Sequence, residues 1–304
     1  MTGILMPEKL GQHFLNDKNI VEKIIKAAKL RPSDVVIEIG PGKGILTENL
    51  AKYAGKVIAV ELDNKLADLL RNKFKNQKNV EIVEKDILKV NIVQFFSRHS
   101  ERSVAESKNL MKKKLDPSAT LGMTHCAYKI VANLPYYITS PIIRKFLETQ
   151  NPPSEMILMV QKEVAERIVA SPSEIPTESR GAKRISRGKP GKMSILSVSV
   201  QYYAKPEILF YVDKEKFDPV PKVDSAVIKI SNIKNQSAKL RKDFFRIVKA
   251  GFCAKRKTLV NNLSNSLHLD KKEVEGKLKK TGIDPTIRAQ ELSVDDWKKI
   301  AELF

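Results

Sequence analysis

Between positions 16 and 30 the apolar residues Ile20, Val21, Ile24, Ile25 and Ala28 recur at helical spacing, behind Asn16 or Asp17 as N-cap. Short apolar runs then alternate with helical patterns. Positions 35–39, 57–61 and 80–83 read as strands, separated by helices over 45–53 and 64–74. After a long gap the alternation resumes with a strand at 128–132, a helix near 141–149, a strand at 156–160 and a helix over 162–170. These strands are almost continuously apolar, as strands buried on both faces must be. The order therefore predicts an α/β fold built on a mostly parallel, doubly wound sheet, with ligand expected beyond the carboxyl ends of the strands.

The runs 194–203 and 223–230 follow one another without a clear helix between them, and predict an antiparallel hairpin closing one edge of the sheet. From 235 onward only helical patterns occur, at 240–252, 258–267, 271–280 and 294–303. The expected division is an α/β domain over 1–234 and a small α-helical domain over 235–304. Two stretches, 97–127 and 171–192, are rich in polar and basic residues without periodicity, and read as flexible insertions.

Charge narrows the partner. The chain of 304 residues carries 55 Lys+Arg against 35 Asp+Glu, a formal net charge of +20. Such a field suits a polyanion, and nucleic acid is the first candidate. A membrane surface is disfavoured because no apolar run approaches spanning length and no segment has the amphipathic form of an interfacial helix. Residues 1–10 lack the features of a signal peptide or presequence, so a cytoplasmic location is expected. Two cysteines, Cys126 and Cys253, and four scattered histidines support neither a disulfide framework nor a metal site; the adjacent His125 and Cys126 read as coincidence.

Glu38-Ile39-Gly40-Pro41-Gly42-Lys43-Gly44 follows a strand and opens a helix, so its glycines permit a tight turn and close approach of a nucleotide-like cofactor. The dinucleotide fingerprint requires a third glycine where Ile45 stands, which argues against a nicotinamide enzyme. Glu61 closes the next strand, about twenty residues on, where a carboxylate accepts from ribose hydroxyls. Asp86, after the third strand, is placed to accept from an adenine amino group, although alone it would pass for a surface carboxylate.

Asn133-Leu134-Pro135-Tyr136 lies directly after the strand at 128–132. An exocyclic adenine amine is a poor nucleophile because its lone pair is conjugated into the ring. Acceptors for its N–H groups, the Asn133 side-chain oxygen and a carbonyl of Leu134 or Pro135, help to localise that pair. Pro135 fixes its own φ and biases Leu134 toward an extended backbone, so these carbonyls are held in place. Tyr136 offers a face for a flipped-out base. Seen alone, the same four residues also describe a proline turn beside a core tyrosine. Beside the glycine loop they point to methyl transfer from S-adenosylmethionine, whose activated carbon needs positioning but neither metal nor covalent nucleophile.

Taken together, Gly11-Gln12-His13-Phe14-Leu15, the glycine loop, Glu61, Asp86, the segment from Asn133 to Pro141 and Phe217-Asp218-Pro219-Val220-Pro221-Lys222-Val223-Asp224-Ser225 resemble the ribosomal RNA adenine dimethyltransferase family of the small subunit. The resemblance covers nearly all of the chain outside the two insertions. It implies a Rossmann-like class I methyltransferase domain with a small helical C-terminal domain. It also implies dimethylation of N6 on two adjacent adenosines in the 3′-terminal hairpin of 16S RNA, in a 30S precursor, by a monomer. By the same resemblance His13 and Leu15 touch the cofactor, Gly40 and Gly42 approach it, Glu61 binds its ribose and Asp86 its adenine. Asn133 touches both cofactor and target, and Phe217 closes the base pocket opposite Tyr136. His13 departs from the more familiar Asn, and Phe217 reads equally well as a core aromatic. Positions 241–280 hold twelve Lys+Arg against four Asp+Glu, which makes Lys255, Arg256 and Lys257, with Lys222, the candidate RNA contacts. Two other readings remain: a large-subunit adenine methyltransferase conferring antibiotic resistance, with a related Asn-x-Pro-Tyr motif, and a non-catalytic RNA-binding assembly factor on the same fold.

Overall fold

A computed structural model describes residues 13–92, 95, 127–172, 193–235 and 238–304, the side chains of 238–240 excepted. Gly11, Gln12, the His125-Cys126 pair and all but the margins of the two insertions lie outside these residues. The described residues form two compact units, one from Met1–Val160 and Leu209–Ile233, the other from Gln161–Ile208 and Lys234–Phe304. The stretch 161–208 thus groups with the C-terminal helices, whereas the sequence reading assigned it to the first domain.

The first unit begins with a two-residue strand, β1 (Phe14–Leu15), and the helix α1 (Lys18–Ala28). Asp17 caps α1, accepting from Asn19 N at 2.9 Å and Ile20 N at 3.2 Å. Ile20, Val21, Ile24, Ile25 and Ala28 are buried, as the spacing predicts. The strands β2 (Val35–Ile39), β3 (Lys56–Glu61) and β4 (Val80–Glu84) follow, with helices α2 (Ile45–Leu50) and α3 (Asn64–Lys73) between them. Then come β5 (Tyr128–Asn133), α4 (Thr139–Leu147) and β6 (Glu155–Gln161). β7 (Lys205–Val212), the short β8 (Phe217–Asp218) and β9 (Ser225–Ser231) complete the strands.

The main sheet has seven strands in the order β4-β3-β2-β5-β6-β9-β7. The pairs β4/β3, β3/β2, β2/β5 and β5/β6 are parallel. The chain winds outward from β2 to β4 and returns to place β5 on the other side of β2. This reversal between β2 and β5 is the switch point at which open α/β sheets leave a crevice. β8 pairs instead with β1, antiparallel, with Phe14 opposite Asp218 and Leu15 opposite Phe217.

The second unit holds α5 (Lys162–Val169), α6 (Ile195–Tyr203), α7 (Ala238–Gly251), α8 (Leu259–Leu267), α9 (Lys271–Lys280) and α10 (Val294–Ala301). Trp297 is fully buried and stacks with Phe252, ring centroids 5.5 Å apart. Tyr202 stacks on Phe244 at 4.1 Å in a second aromatic group.

One predicted strand is a helix. Ser194–Tyr203 alternates apolar and polar residues and is rich in β-branched types, yet Ile195–Tyr203 is helical and the edge strand is Lys205–Val212. Ser194 and Ser197 form a capping box that starts the helix. Ser197 Oγ and Gln201 Nε2 then donate to carbonyls of Arg167 and Ile168 at 2.6 and 2.9 Å, so burial on several sides replaces the amphipathic stripe a helix usually shows. Among the described residues no helix is long and apolar enough to cross a membrane, and no His, Cys, Asp and Glu side chains group as a metal site.

Candidate active site

Because β2, β3, β4 and β5 run parallel in neighbouring positions, the residues that end them are neighbours too. Val35 lies opposite Tyr128 and Ile37 opposite Ile130, so the same register brings Gly40 level with Asn133. Likewise Ile39 lies opposite Val60, which sets Gly40 beside Glu61. Gly40 N donates to Val60 O at 3.0 Å. A Cβ on Gly40 would lie 3.5 Å from Pro135 Cδ and 4.0 Å from Asn133 O, so even the smallest side chain there would meet the Asn133 motif. Residues almost one hundred positions apart form one recess.

That recess is lined by His13, Leu15, Gly40, Gly42, Glu61, Asp86 and Asn133, the whole expected cofactor set, together with Leu134, Pro135 and Tyr136. Phe14, Glu38 and Tyr137, which the sequence reading did not select, line it as well.

Gly42 shows why the loop is glycine-rich. Its φ is +57°, a left-handed value, and a Cβ there would approach the Phe14 ring to 2.8 Å. Phe14, carried by the β1–β8 ribbon, therefore lies directly on the loop. Lys43 stands 4.8 Å from the centre of the same ring.

Glu61 is 4% exposed and its carboxylate accepts three backbone N–H groups: Gly42 at 3.2 Å on Oε2, and Leu62 at 2.8 Å and Asp63 at 3.1 Å on Oε1. Burial raises its pKa above the usual carboxylate range, while these hydrogen bonds pull the other way. Oε2, with a single donor, keeps a lone pair for a ligand hydroxyl.

Asp86 accepts from Leu88 N at 2.9 Å, which fixes the turn Ile87–Lys89 behind it. The turn is tied to α4 by Lys145 Nζ, which donates to Leu88 O at 3.0 Å. Burial lowers the Lys145 pKa, with the Asp86 charge opposing.

Glu38 stands at the head of the glycine motif, but nothing in the sequence marks it as a buried acid. It is 1% exposed, its Oε2 has no hydrogen-bond partner, and burial pushes its carboxyl up to about 8, with the Glu61 charge adding to the rise. Thr47 beside it opposes that rise, although its own hydroxyl lacks a well-formed partner.

In the target-base motif, Asn133 Nδ2 donates to the main-chain carbonyl of His13 at 3.3 Å. A carbonyl only accepts, so the amide nitrogen must face it and Oδ1 is left as the free acceptor. Pro135 O already accepts from Ile138 N at 3.2 Å and from Thr139 Oγ1 at 3.4 Å. Of the two carbonyls in the motif, that of Pro135 is therefore already engaged. Leu134 is itself held by its N–H donating to Met159 O at 3.1 Å.

Tyr136 is half-buried, its ring 5.7 Å from that of His13. The His13 side chain is engaged by Pro219: Nδ1 lies 2.8 Å from the Pro219 carbonyl, so it is Nδ1 that carries the proton. The expectation that Phe217 faces Tyr136 across the base pocket is not met. Phe217 is 3% exposed, sits in the apolar cluster with Leu15 and Ile20, and does not line the recess. Pairing with Leu15 in the β1–β8 ribbon draws it inward. Lys222, Lys255, Arg256 and Lys257 are exposed and are not among the residues that line the recess; the last three precede α8.

The sequence profile of the family described as Ribosomal RNA adenine dimethylase matches residues 6–304. A ribosomal RNA small subunit methyltransferase A of Dehalococcoides mccartyi (strain BAV1) is 41% identical over 295 residues, covering 96% of this chain and 86% of its own. The protein of that name from Clostridioides difficile (strain 630) is 37% identical over 299 residues, covering 98% and 90%. Among solved structures, a dimethyladenosine transferase from Plasmodium falciparum superposes with a TM-score of 0.64 at 26% identity, covering 95% of this chain and 96% of that one. The 23S rRNA methyltransferase ErmE shares the fold with a TM-score of 0.63 at 24% identity, covering 95% and 98%. With the family profile spanning almost every residue and the motif residues gathered in one recess, this chain belongs to the ribosomal RNA adenine dimethylase family.

Proposed function

We propose that this protein transfers methyl groups from S-adenosylmethionine to N6 of two adjacent adenosines in the 3′-terminal hairpin of small-subunit ribosomal RNA. We place it in the cytoplasm, acting as a monomer on a 30S precursor. The observation that carries the reading is that the glycine loop, from Gly40 to Lys43, and the motif from Asn133 to Tyr136 line one recess.

The residues present fit the cofactor. Glu61 offers a buried acceptor for a ribose diol, Asp86 an acceptor at the adenine end, and the left-handed Gly42 a bare backbone for close approach. S-adenosylmethionine supplies, when bound, a methyl carbon already activated by its sulfonium. The chain's own part is to orient the acceptor. Asn133 Oδ1 and Leu134 O take the two N–H groups of the amine and turn its lone pair out of conjugation. Both acceptors are preset, the first by the His13 carbonyl and the second by Met159 O, so little reorganisation accompanies the reaction. Tyr136 supplies the stacking face, and the net charge of +20 supplies the attraction for RNA phosphates.

The test is primer extension and mass spectrometry on both ribosomal RNAs after incubation with the methyl donor. N6,N6-dimethyladenosine at neighbouring positions of the small-subunit RNA is expected. A stop on large-subunit RNA alone would refute the substrate assignment, and no methylation of either would refute the activity.

A further inference from the structure

Tyr136 opens a 3-10 turn, Tyr136–Ile138, that leads directly into α4. Its ring is fixed at two further points. The phenol oxygen lies 2.8 Å from Ser225 Oγ, and the ring abuts His13 with the planes 31° apart. Ser225 is fully buried as the first residue of β9, and it does not line the recess. It stands behind Tyr136 rather than beside a ligand. His13 is anchored in turn by the Pro219 carbonyl, six residues before Ser225 in the chain. One short segment, 219–225, thereby grips both the tyrosine and its neighbour.

We propose that Ser225 is a positioning residue for the target base: its hydroxyl fixes the tilt of Tyr136 and so the plane in which a flipped adenine stacks. The inference rests on Tyr136 being the stacking platform. A base tilted by a loose ring would present its amine off line from the acceptors of Asn133 and Leu134, so turnover suffers more than RNA affinity. Most of that affinity comes from phosphate contacts elsewhere.

The experiment is a double-mutant cycle on turnover of small-subunit RNA, with Ser225→Ala, Tyr136→Phe and the pair combined. Loss of one hydrogen bond predicts a fall in kcat of about 5- to 10-fold for each single variant, with KM for RNA within about twofold. The combined variant should be no slower than either single one, because both remove the same bond. Affinity for the methyl donor should not change, since neither hydroxyl serves the cofactor. Tyr136→Phe keeps the ring and removes one oxygen, so the cycle remains readable if Ser225→Ala impairs folding. Multiplying losses in the combined variant, a Ser225→Ala effect confined to KM, or a silent Tyr136→Phe would each overturn the proposal. Tyr136→Ala separates this from the reading beneath it: full turnover by that variant would remove Tyr136 as the platform, whereas lost turnover beside a silent Ser225→Ala would sink only the clamp.

Discussion

Replacing Glu38 with Gln removes a buried ionisable group while keeping the shape of the side chain. In the unfolded chain the Glu38 carboxyl ionises near 4.5, and in the folded chain at about 8. Between those values the folded state holds a proton that the unfolded state has lost, so this group makes stability fall as pH rises. Below 4.5 both states are protonated and the penalty vanishes. Above 8 the ionised carboxylate is confined with an unpartnered oxygen next to Glu61, and the displacement corresponds to a ceiling of about 5 kcal/mol, with about 3 kcal/mol already present at pH 7. Water entry and local rearrangement lower that ceiling but not its sign.

The assay is urea unfolding of both proteins at pH 5, 7 and 9. Far-ultraviolet circular dichroism is the right probe, because the single tryptophan, Trp297, reports on the other unit. Other groups titrate over this range, but the difference between the two proteins isolates Glu38. Near pH 5 they should agree to within about 1 kcal/mol, and by pH 9 the Gln variant should be the more stable by a few kcal/mol. Equal stability at pH 9, or a gap that narrows as pH rises, would refute the argument that Glu38 is held neutral by burial.

Three further outcomes follow from the site. Gly42→Ala places a methyl group 2.8 Å from the Phe14 ring at a φ of +57°, so a loss of about 2 kcal/mol in stability is expected, together with weaker binding of S-adenosylmethionine by calorimetry; an unchanged dissociation constant would separate the loop from the cofactor. Glu61→Gln replaces one carboxylate oxygen by a donor facing backbone N–H groups. Cofactor affinity should fall about 10- to 100-fold, and tight binding by the variant would exclude Glu61 as the ribose partner. Reversing Lys255, Arg256 and Lys257 to Glu should weaken RNA binding and flatten its salt dependence without altering cofactor affinity. An unaltered slope of log affinity against log salt would remove this run from the RNA-contacting surface.

The parallel strands β2 to β6 were legible because strands of a parallel sheet covered on both faces leave largely apolar runs, short and bounded by turn residues. The residues that meet in the recess were legible for a related reason. Each is a polar or glycine residue just beyond the end of such a run, and a parallel register carries run ends to one edge of the sheet. Gly40, Glu61, Asp86 and Asn133 needed no knowledge of long-range contacts to be grouped. The helix Ile195–Tyr203 was not legible, since its period-2 alternation comes from a helix buried on several sides. Phe217 was equally ambiguous, because an aromatic before a proline-rich turn can face inward or outward, and its pairing with Leu15, some two hundred residues away, decides for the core.

What the motifs could not show is how their atoms are aimed. Asn133 has an oxygen and a nitrogen at nearly the same place, and only the His13 carbonyl, 120 residues earlier, determines which one is left without a partner there. The motif offered two carbonyls, and the donors Ile138 N and Thr139 Oγ1 single out Leu134 by saturating Pro135. The tyrosine hydroxyl finds its partner 89 residues later. These bonds explain why His13 can stand where Asn is more familiar in the family. The atom that orients Asn133 is a main-chain oxygen, available from any residue at that position, while the imidazole is free to brace Tyr136 and bond to Pro219. The geometry of this recess is therefore set by side-chain identity at the strand ends, and by backbone groups in the β1–β8 ribbon.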